Sequence, residues 1–206
     1  MSLQSWFPTF IYDAPLQKKT SQKFLSALLE DSYKVRENDR NGQKWSRENY
    51  PNGFTSYSSM NRLHKTGSSF WELEKKLSPH LETFAKYLEW DLGKGRKLTM
   101  TDCWVNIMRQ YAVHPLHLHP LSVISGTFYV KTPKACSSLR FEDPRLSKLM
   151  GAPPKKSLCR PENKQQVLYP VEAGKVILFE SWLRHEVRSN PSQEERVSIS
   201  FNYHWL

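Results

Sequence analysis

The chain has 206 residues, 38% of them hydrophobic and 24% charged, with a formal net charge of +10, enough for one domain with a sizeable core. The charge admits acidic peptides, nucleic acid or small anions as partners, but the lysine pairs Lys18-Lys19, Lys75-Lys76 and Lys155-Lys156 are scattered and sit in no nucleic-acid motif. No apolar run reaches the roughly 18 residues of a membrane span, and three widely spaced cysteines, Cys103, Cys136 and Cys159, form neither a disulfide framework nor a thiolate metal site, so the expectation is a soluble, cytoplasmic protein with reduced thiols.

In chain order, residues 6–12 are rich in aromatic and β-branched types and predict a short strand, at a sheet edge because of Pro8. Thr20 or Ser21 caps a helix whose apolar face carries Phe24, Leu25, Leu28 and Leu29. Residues 39–67 are dominated by Asn, Gly, Ser and Tyr and read as a loop-rich stretch. Ser69 and Glu72 have the spacing of a capping box for a second helix with Phe70, Leu73 and Leu77 on one face. Pro79 is expected to end or kink it, with Ser78-Pro79 starting a third helix that carries Leu81, Phe84 and Leu88.

Beyond Leu98 the apolar period changes from helical to alternating. Strands are expected at 99–108, 122–131, 137–141, 166–169, 175–180, 185–189 and 196–205. Short strands with turn-like connections and no intervening helices argue for an antiparallel sandwich or jelly roll. The proline-rich connection 143–164 is a candidate lid or substrate loop. The whole reads as a single domain over 1–206: mainly β with N-terminal helices, residues 1–97 forming a helical and loop-rich support and 98–206 the jelly-roll core.

Three of the seven histidines fall in one short run at His114, His117 and His119. Residues two apart on a strand share a face, so His117 and His119 can both enter one cavity. Imidazoles in this arrangement suit iron, zinc, copper or nickel, and His185, after a strand and tight turn, is the candidate third ligand. His114 is an odd number of residues from His117 and separated from it by Pro115, so it is expected to face away. On 196–205, Val197, Ile199, Phe201, Tyr203 and Trp205 alternate with Arg196, Ser198, Ser200, Asn202 and His204. The second set is either an exposed polar face or, through Arg196 and Ser198, a clamp for a carboxylate. His64, His80 and His204 are expected to be surface or satisfied structural histidines. Trp104 and Trp182 are read as packing residues.

Taken together, the paired histidines on one strand, the distal histidine and the arginine on the next strand resemble the iron- and 2-oxoglutarate-dependent oxygenases, over Trp104 to the C-terminus. The segments Trp104-Val105-Asn106, His117-Leu118-His119-Pro120, Ser125-Gly126-Thr127-Phe128-Tyr129-Val130, Leu139-Arg140-Phe141-Glu142-Asp143-Pro144-Arg145 and Arg196-Val197-Ser198-Ile199-Ser200-Phe201-Asn202 are similar to a bacterial and phage subgroup. The resemblance implies a double-stranded β-helix core of cupin-like type, with Fe(II) as cofactor and 2-oxoglutarate and O2 as cosubstrates. It further implies Fe(II) at His117 and His185, with His119 where most of the family carries Asp or Glu. Arg196 would pair with the C5 carboxylate of 2-oxoglutarate, Ser198 beside it, Tyr129 donating its hydroxyl, and Asn106 lining the pocket. The implied reaction is oxidative decarboxylation of 2-oxoglutarate to succinate and CO2, coupled to hydroxylation of a small-molecule or peptide substrate.

His119 departs from the family pattern. Three neutral imidazoles with a dianionic cosubstrate leave Fe(II) near zero net charge, against about minus one when a carboxylate takes the third place. Either His119 coordinates, which its i, i+2 relation to His117 favours, or water, Glu142 or Asp143 takes that place. Two rival readings remain: a three-histidine cupin-type dioxygenase of the thiol dioxygenase kind, which needs no 2-oxoglutarate, and a metal-free or zinc-bound jelly-roll binding module.

Overall fold

The computed structural model of the chain describes residues 2–148 and 150–206; Met1 and Leu149, the latter inside the proline-rich connection, lie outside the described residues. The described strands are β1 (Ile11–Pro15), β2 (Gly53–Thr55), β3 (Leu98–Met108), β4 (His114–His117), β5 (Ile124–Lys131), β6 (Leu139–Glu142), β7 (Gln166–Tyr169), β8 (Lys175–Glu180), β9 (His185–Val187) and β10 (Arg196–Trp205). They form a six-stranded sheet in the order β1-β8-β5-β10-β3-β2 and a four-stranded sheet in the order β4-β9-β6-β7, with antiparallel pairing throughout. Two facing antiparallel sheets with strands alternating between them make a double-stranded β-helix.

Side-chain alternation decides what each face of the large sheet meets. Val197, Ile199, Phe201 and Tyr203 of β10, Val105 and Ile107 of β3, Phe128 and Val130 of β5, and Val176 and Leu178 of β8 pack into one core. The helices α1 (Gln22–Asn38) and α3 (Ser69–Tyr87) cover that face with Phe24, Leu28, Phe70, Leu73, Leu77, Leu81 and Phe84. The opposite face looks into the space between the sheets, where Tyr129, Ile177 and Phe179 meet Leu139, Phe141 and Val187 of the small sheet. The polar set on β10 therefore is not an exposed face: Arg196, Ser198 and Asn202 are all buried in the interior of the β-helix.

The edge strand is present but begins later than its sequence suggests, at Ile11, where it pairs with β8 on the sheet's outer edge. α1 starts after Ser21 as expected and keeps Phe24 and Leu28 buried. The 39–67 stretch departs from expectation. It contains a helix, α2 (Arg40–Asn49), and then β2, the opposite edge of the large sheet. Its sequence carries no apolar stripe because polar contacts hold it: buried Asp39 caps it by accepting from the Gly42 amide at 2.8 Å, and the buried Ser46 hydroxyl accepts from the Thr55 amide at 3.1 Å.

Pro79 neither ends nor separates a helix: α3 runs through it as one element, capped by Ser68, while Ser69 instead donates to Asp31 at 2.6 Å. An interior proline costs about 3 kcal/mol. Leu73, Leu77, Leu81 and Phe84 stay in helical phase across it and are all buried, each contributing about 1.5–3 kcal/mol of burial, so packing outweighs the break. His64 is buried with both ring nitrogens lacking a partner among the described residues. By contrast His80 is a satisfied structural histidine, bonded to the Tyr12 hydroxyl and the Leu16 carbonyl, each at 2.8 Å. Among the described residues no helix is long and apolar enough to cross a membrane.

Candidate metal and cosubstrate site

Three strands of the large sheet aim their inner-face residues into one cavity: Trp104, Asn106 and Met108 from β3, Thr127 from β5, and Arg196, Ser198 and Ser200 from β10. Strand pairing fixes their neighbourhood, because Ser198 lies opposite Asn106 on one side and Tyr129 on the other. Gly126 lets the strands come this close, since a Cβ there would lie 2.5 Å from Phe201 Cε2 and 2.8 Å from the Ile177 carbonyl oxygen. The small sheet closes the cavity with His117 and His185, which are direct partners across the β4–β9 ladder.

His117, His119 and His185 place one ring nitrogen each within 4.8 Å of one another. Their orientation follows from their other nitrogens. His117 Nδ1 donates to the Pro115 carbonyl at 2.7 Å, His185 Nδ1 to the Leu183 carbonyl at 2.9 Å, and His119 Nδ1 to Asn202 Oδ1 at 2.7 Å. In every case the oxygen accepts a hydrogen bond from Nδ1–H, which fixes the proton on Nδ1 and leaves the Nε2 lone pair free for a cation. Asn202 is itself held by the Ser125 hydroxyl, which donates to the same Oδ1 at 2.8 Å. Burial pulls the three imidazoles below their ordinary range, His119 to about 4, so at neutral pH all three are neutral donors.

The cavity also contains unsatisfied groups of the opposite kind. Arg196 is 2% exposed and has no carboxylate partner among the described residues. Its Nη1 reaches only Ser198 Oγ and Met108 Sδ, both at 3.4 Å, its guanidinium carbon lies 5.1 Å from the centroid of the Tyr129 ring, and its Nε has no partner. The Tyr129 hydroxyl and Asn106 Oδ1 are likewise buried and unpartnered, and burial pushes the Tyr129 phenol up to about 12, against the pull of Arg196. An isolated buried cation costs several kcal/mol. A carboxylate there would receive the guanidinium and the phenol together, so these residues fit a dianionic oxoacid beside a metal ion held by the imidazoles.

Every residue singled out from the sequence, namely His117, His119, His185, Arg196, Ser198, Tyr129 and Asn106, lies in or against this one interior space. Glu142 and Asp143 do not compete for the third metal position, because Glu142 pairs with Arg184 at 2.9 Å and Asp143 with Arg145 at 3.0 Å. His114 does not face away. The β4–β9 pairing slips between His114 and His117, which cancels the odd spacing, and the His114 ring stacks on that of His117 with centroids 4.5 Å apart. Asn202 was legible only as one polar position on an alternating strand; nothing in the sequence set it beside His119. Trp104 is buried yet lines the cavity, with its ring centroid 5.7 Å from that of His119, whereas Trp182 is half exposed.

Solved structures of 2-oxoglutarate enzymes share this architecture at low identity. A prolyl-4-hydroxylase from Pseudomonas putida superposes with a TM-score of 0.62 at 12% identity, over 95% of this chain and 92% of that one. The α-ketoglutarate-dependent epimerase SnoN of nogalamycin biosynthesis gives 0.63 at 14%, over 95% and 76%. HygX from Streptomyces hygroscopicus, solved with nickel and 2-oxoglutarate bound, gives 0.61 at 11%, over 95% and 83%. No curated protein is similar enough in sequence to count as a match. The fold is thus that of the 2-oxoglutarate oxygenases. Residues 102–202 match the family described as "Putative 2OG-Fe(II) oxygenase"; the chain belongs to that family, oxidoreductases that use Fe(II), 2-oxoglutarate and O2.

Proposed function

We propose that the chain is an Fe(II)- and 2-oxoglutarate-dependent hydroxylase in which His117, His119 and His185 hold the metal and Arg196, Ser198, Tyr129 and Asn106 hold the cosubstrate. Arg196 carries the reading: a buried, unpaired guanidinium in the same cavity as three metal-competent imidazoles calls for an anion. When bound, iron and 2-oxoglutarate supply oxidative decarboxylation to succinate and CO2, with one oxygen atom of O2 passing to succinate and the other to the substrate.

The chain's own residues do the positioning. Arg196 and Tyr129 bind and orient the distal carboxylate, and Ser198 and Asn106 border it. Asn202, with Ser125 behind it, holds His119 in the tautomer a metal requires, and this supports His119 as a ligand in the place of a carboxylate. The two sheets bury Arg196, Tyr129 and Ser198 almost completely, and the low local dielectric strengthens each charge-assisted contact they make. Residues 1–97 serve as a support for the catalytic core in one domain, their helices backing the sheet whose inner face carries the cosubstrate residues. The substrate is a small molecule or a peptide. Three free cysteines support a reducing, cytoplasmic setting.

The test is succinate formation from 2-oxoglutarate with Fe(II) and O2 in the absence of added substrate, comparing wild type with Arg196→Ala. Wild type should release succinate slowly, and the variant at least about 100-fold less at low 2-oxoglutarate, the scale expected for removing one member of a buried charge pair. Equal succinate production by the two proteins would remove 2-oxoglutarate from the assignment.

A further inference from the structure

A second cavity reaches the same histidines from the other side. Its floor is the edge of His114, His117 and His119, and its walls are aromatic: Trp45 from α2, Tyr50 just past the end of that helix, Tyr57 from the segment after β2, and Trp104 from β3. Tyr57 and Trp104 rest against each other with ring centroids 4.8 Å apart. The volume is about 210 Å³, room for a ring or a short branched chain. Trp104 and the three histidines line this groove and the Arg196 cavity alike, so the two spaces meet at the candidate reaction centre.

The groove differs from the rest of the molecule in its electrostatics. The chain has a net charge of +10, yet among the described residues no Lys, Arg, Asp or Glu lines the groove. α2 shows how the charges are kept away. Of its residues, Trp45 and Asn49, one turn apart, face the groove, whereas Arg47 lines a separate cavity with Arg36 and Glu37, as helical spacing dictates. The rim is apolar as well: Leu118 and Pro120 border the groove. The next residue, Leu121, stands 90% exposed at a positive φ of 69°, a conformation costly for leucine and not repaid by burial. A carboxylate or phosphate entering here would lose hydration with no Lys or Arg side chain among the described residues of the groove to receive it; an uncharged C–H face would gain contact with indole and phenol rings.

We propose that this groove selects the substrate, and that the part of the substrate presented to the metal is uncharged and apolar, a ring or branched aliphatic group. The inference rests on the reading of the histidines as the reaction centre. It runs against the anionic substrates that net charge alone would favour. Trp45 and Tyr57 are its specificity-determining residues. Both are partly exposed, so truncating them spares the core.

Charge-matched probe pairs test it: cyclohexanecarboxamide with cyclohexanecarboxylate, and benzamide with benzoate, titrated by ligand-observed NMR into the protein loaded with Zn(II) and 2-oxoglutarate. The amides should bind at least about tenfold more tightly than the carboxylates, and Trp45→Ala and Tyr57→Ala should each weaken the amides about fivefold or more, with Trp45→Phe restoring most of the affinity. Carboxylates binding as tightly as amides, amide affinity unchanged in both alanine variants, or no amide binding up to about 10 mM, the weak limit of specific recognition, would each overturn the proposal. Binding of 2-oxoglutarate to the zinc-loaded protein, with Arg196→Ala as its control, is read in the same samples. If 2-oxoglutarate fails to bind while the amides bind in a Trp45-dependent way, the cosubstrate assignment fails and the groove assignment stands.

Discussion

The two sides of the histidine cluster obey opposite rules. Toward β10 the cavity is lined by buried residues of two sheets and built around a guanidinium with no counter-charge among the described residues. Toward α2 the groove is aromatic and uncharged among the described residues, and it opens past half-exposed Trp45, Tyr57 and Leu118. The buried charge makes the first side demanding, because only an anion relieves it. The second side asks mainly for shape and a C–H surface. On the proposed reading one molecule would be fixed by electrostatics and another admitted by apolar contact, on either side of one candidate metal position.

The comparison breaks most sharply at its midpoint. His185→Ala, or His117→Ala, should remove Fe(II) binding and with it succinate formation to below detection, checked by metal analysis and succinate assay. Next in size, Arg196→Ala should raise the 2-oxoglutarate Kd by about 100-fold or more, measured by calorimetry on the zinc-loaded protein, while leaving amide binding in the Trp45 groove within about twofold; coupled losses on both sides would mean the two spaces are one site. Asn202→Ala should free His119 Nδ1 and lower metal affinity by about 10–100-fold, the usual effect of losing such an outer partner, and an unchanged affinity would place His119 outside the coordination set. Gly126→Ala should destabilise the fold by about 1–3 kcal/mol in urea unfolding, through crowding of Phe201, Leu178 and the Ile177 carbonyl.

An effect on stability alone concerns His64, far from either side in role. Burial lowers it to about 4, with Lys65 adding to the shift, while the unfolded imidazole titrates near 6.5. The unfolded chain therefore takes up the proton first, so stability is full above pH about 6.5 and declines as the pH falls toward 4. From pH about 7 to 5 the wild type should lose about 2 kcal/mol more than a His64→Leu variant in denaturant titrations; parallel losses would contradict it.

How much of this the sequence carried depends on what made each element. Strands β7 and β10 lie where alternation puts them, because each has one face in a core that demands apolar side chains, and β8 lies where a continuous apolar run puts it, because both its faces are in cores. Arg196, Ser198, His117 and His185 were legible for the same reason, since strand period assigns each a face and chemistry names the rest; His119, read as the strand neighbour of His117, instead lies past the end of β4 and joins the cluster from the segment that follows it. α2 was not legible because Asp39, Gly42 and Ser46 anchor it through buried polar contacts that leave no apolar period, and what it offers the groove is Trp45 and Asn49 alone. Continuity through Pro79 could not be seen because the deciding term is tertiary, the stripe of Leu73, Leu77, Leu81 and Phe84 against the sheet. His114 was assigned to the wrong face because a register slip between two ladders has no local signature.

The most direct test of the account is an anaerobic titration of the protein with Fe(II) and then 2-oxoglutarate, followed in the visible spectrum. Wild type should develop the weak metal-to-ligand charge-transfer band of 2-oxoglutarate bound to Fe(II), and His119→Ala and Arg196→Ala should each lose it at matched concentrations. No band in the wild type, or an undiminished band in His119→Ala, would contradict the claim that three histidines, and not two, hold the metal beside an arginine-bound cosubstrate.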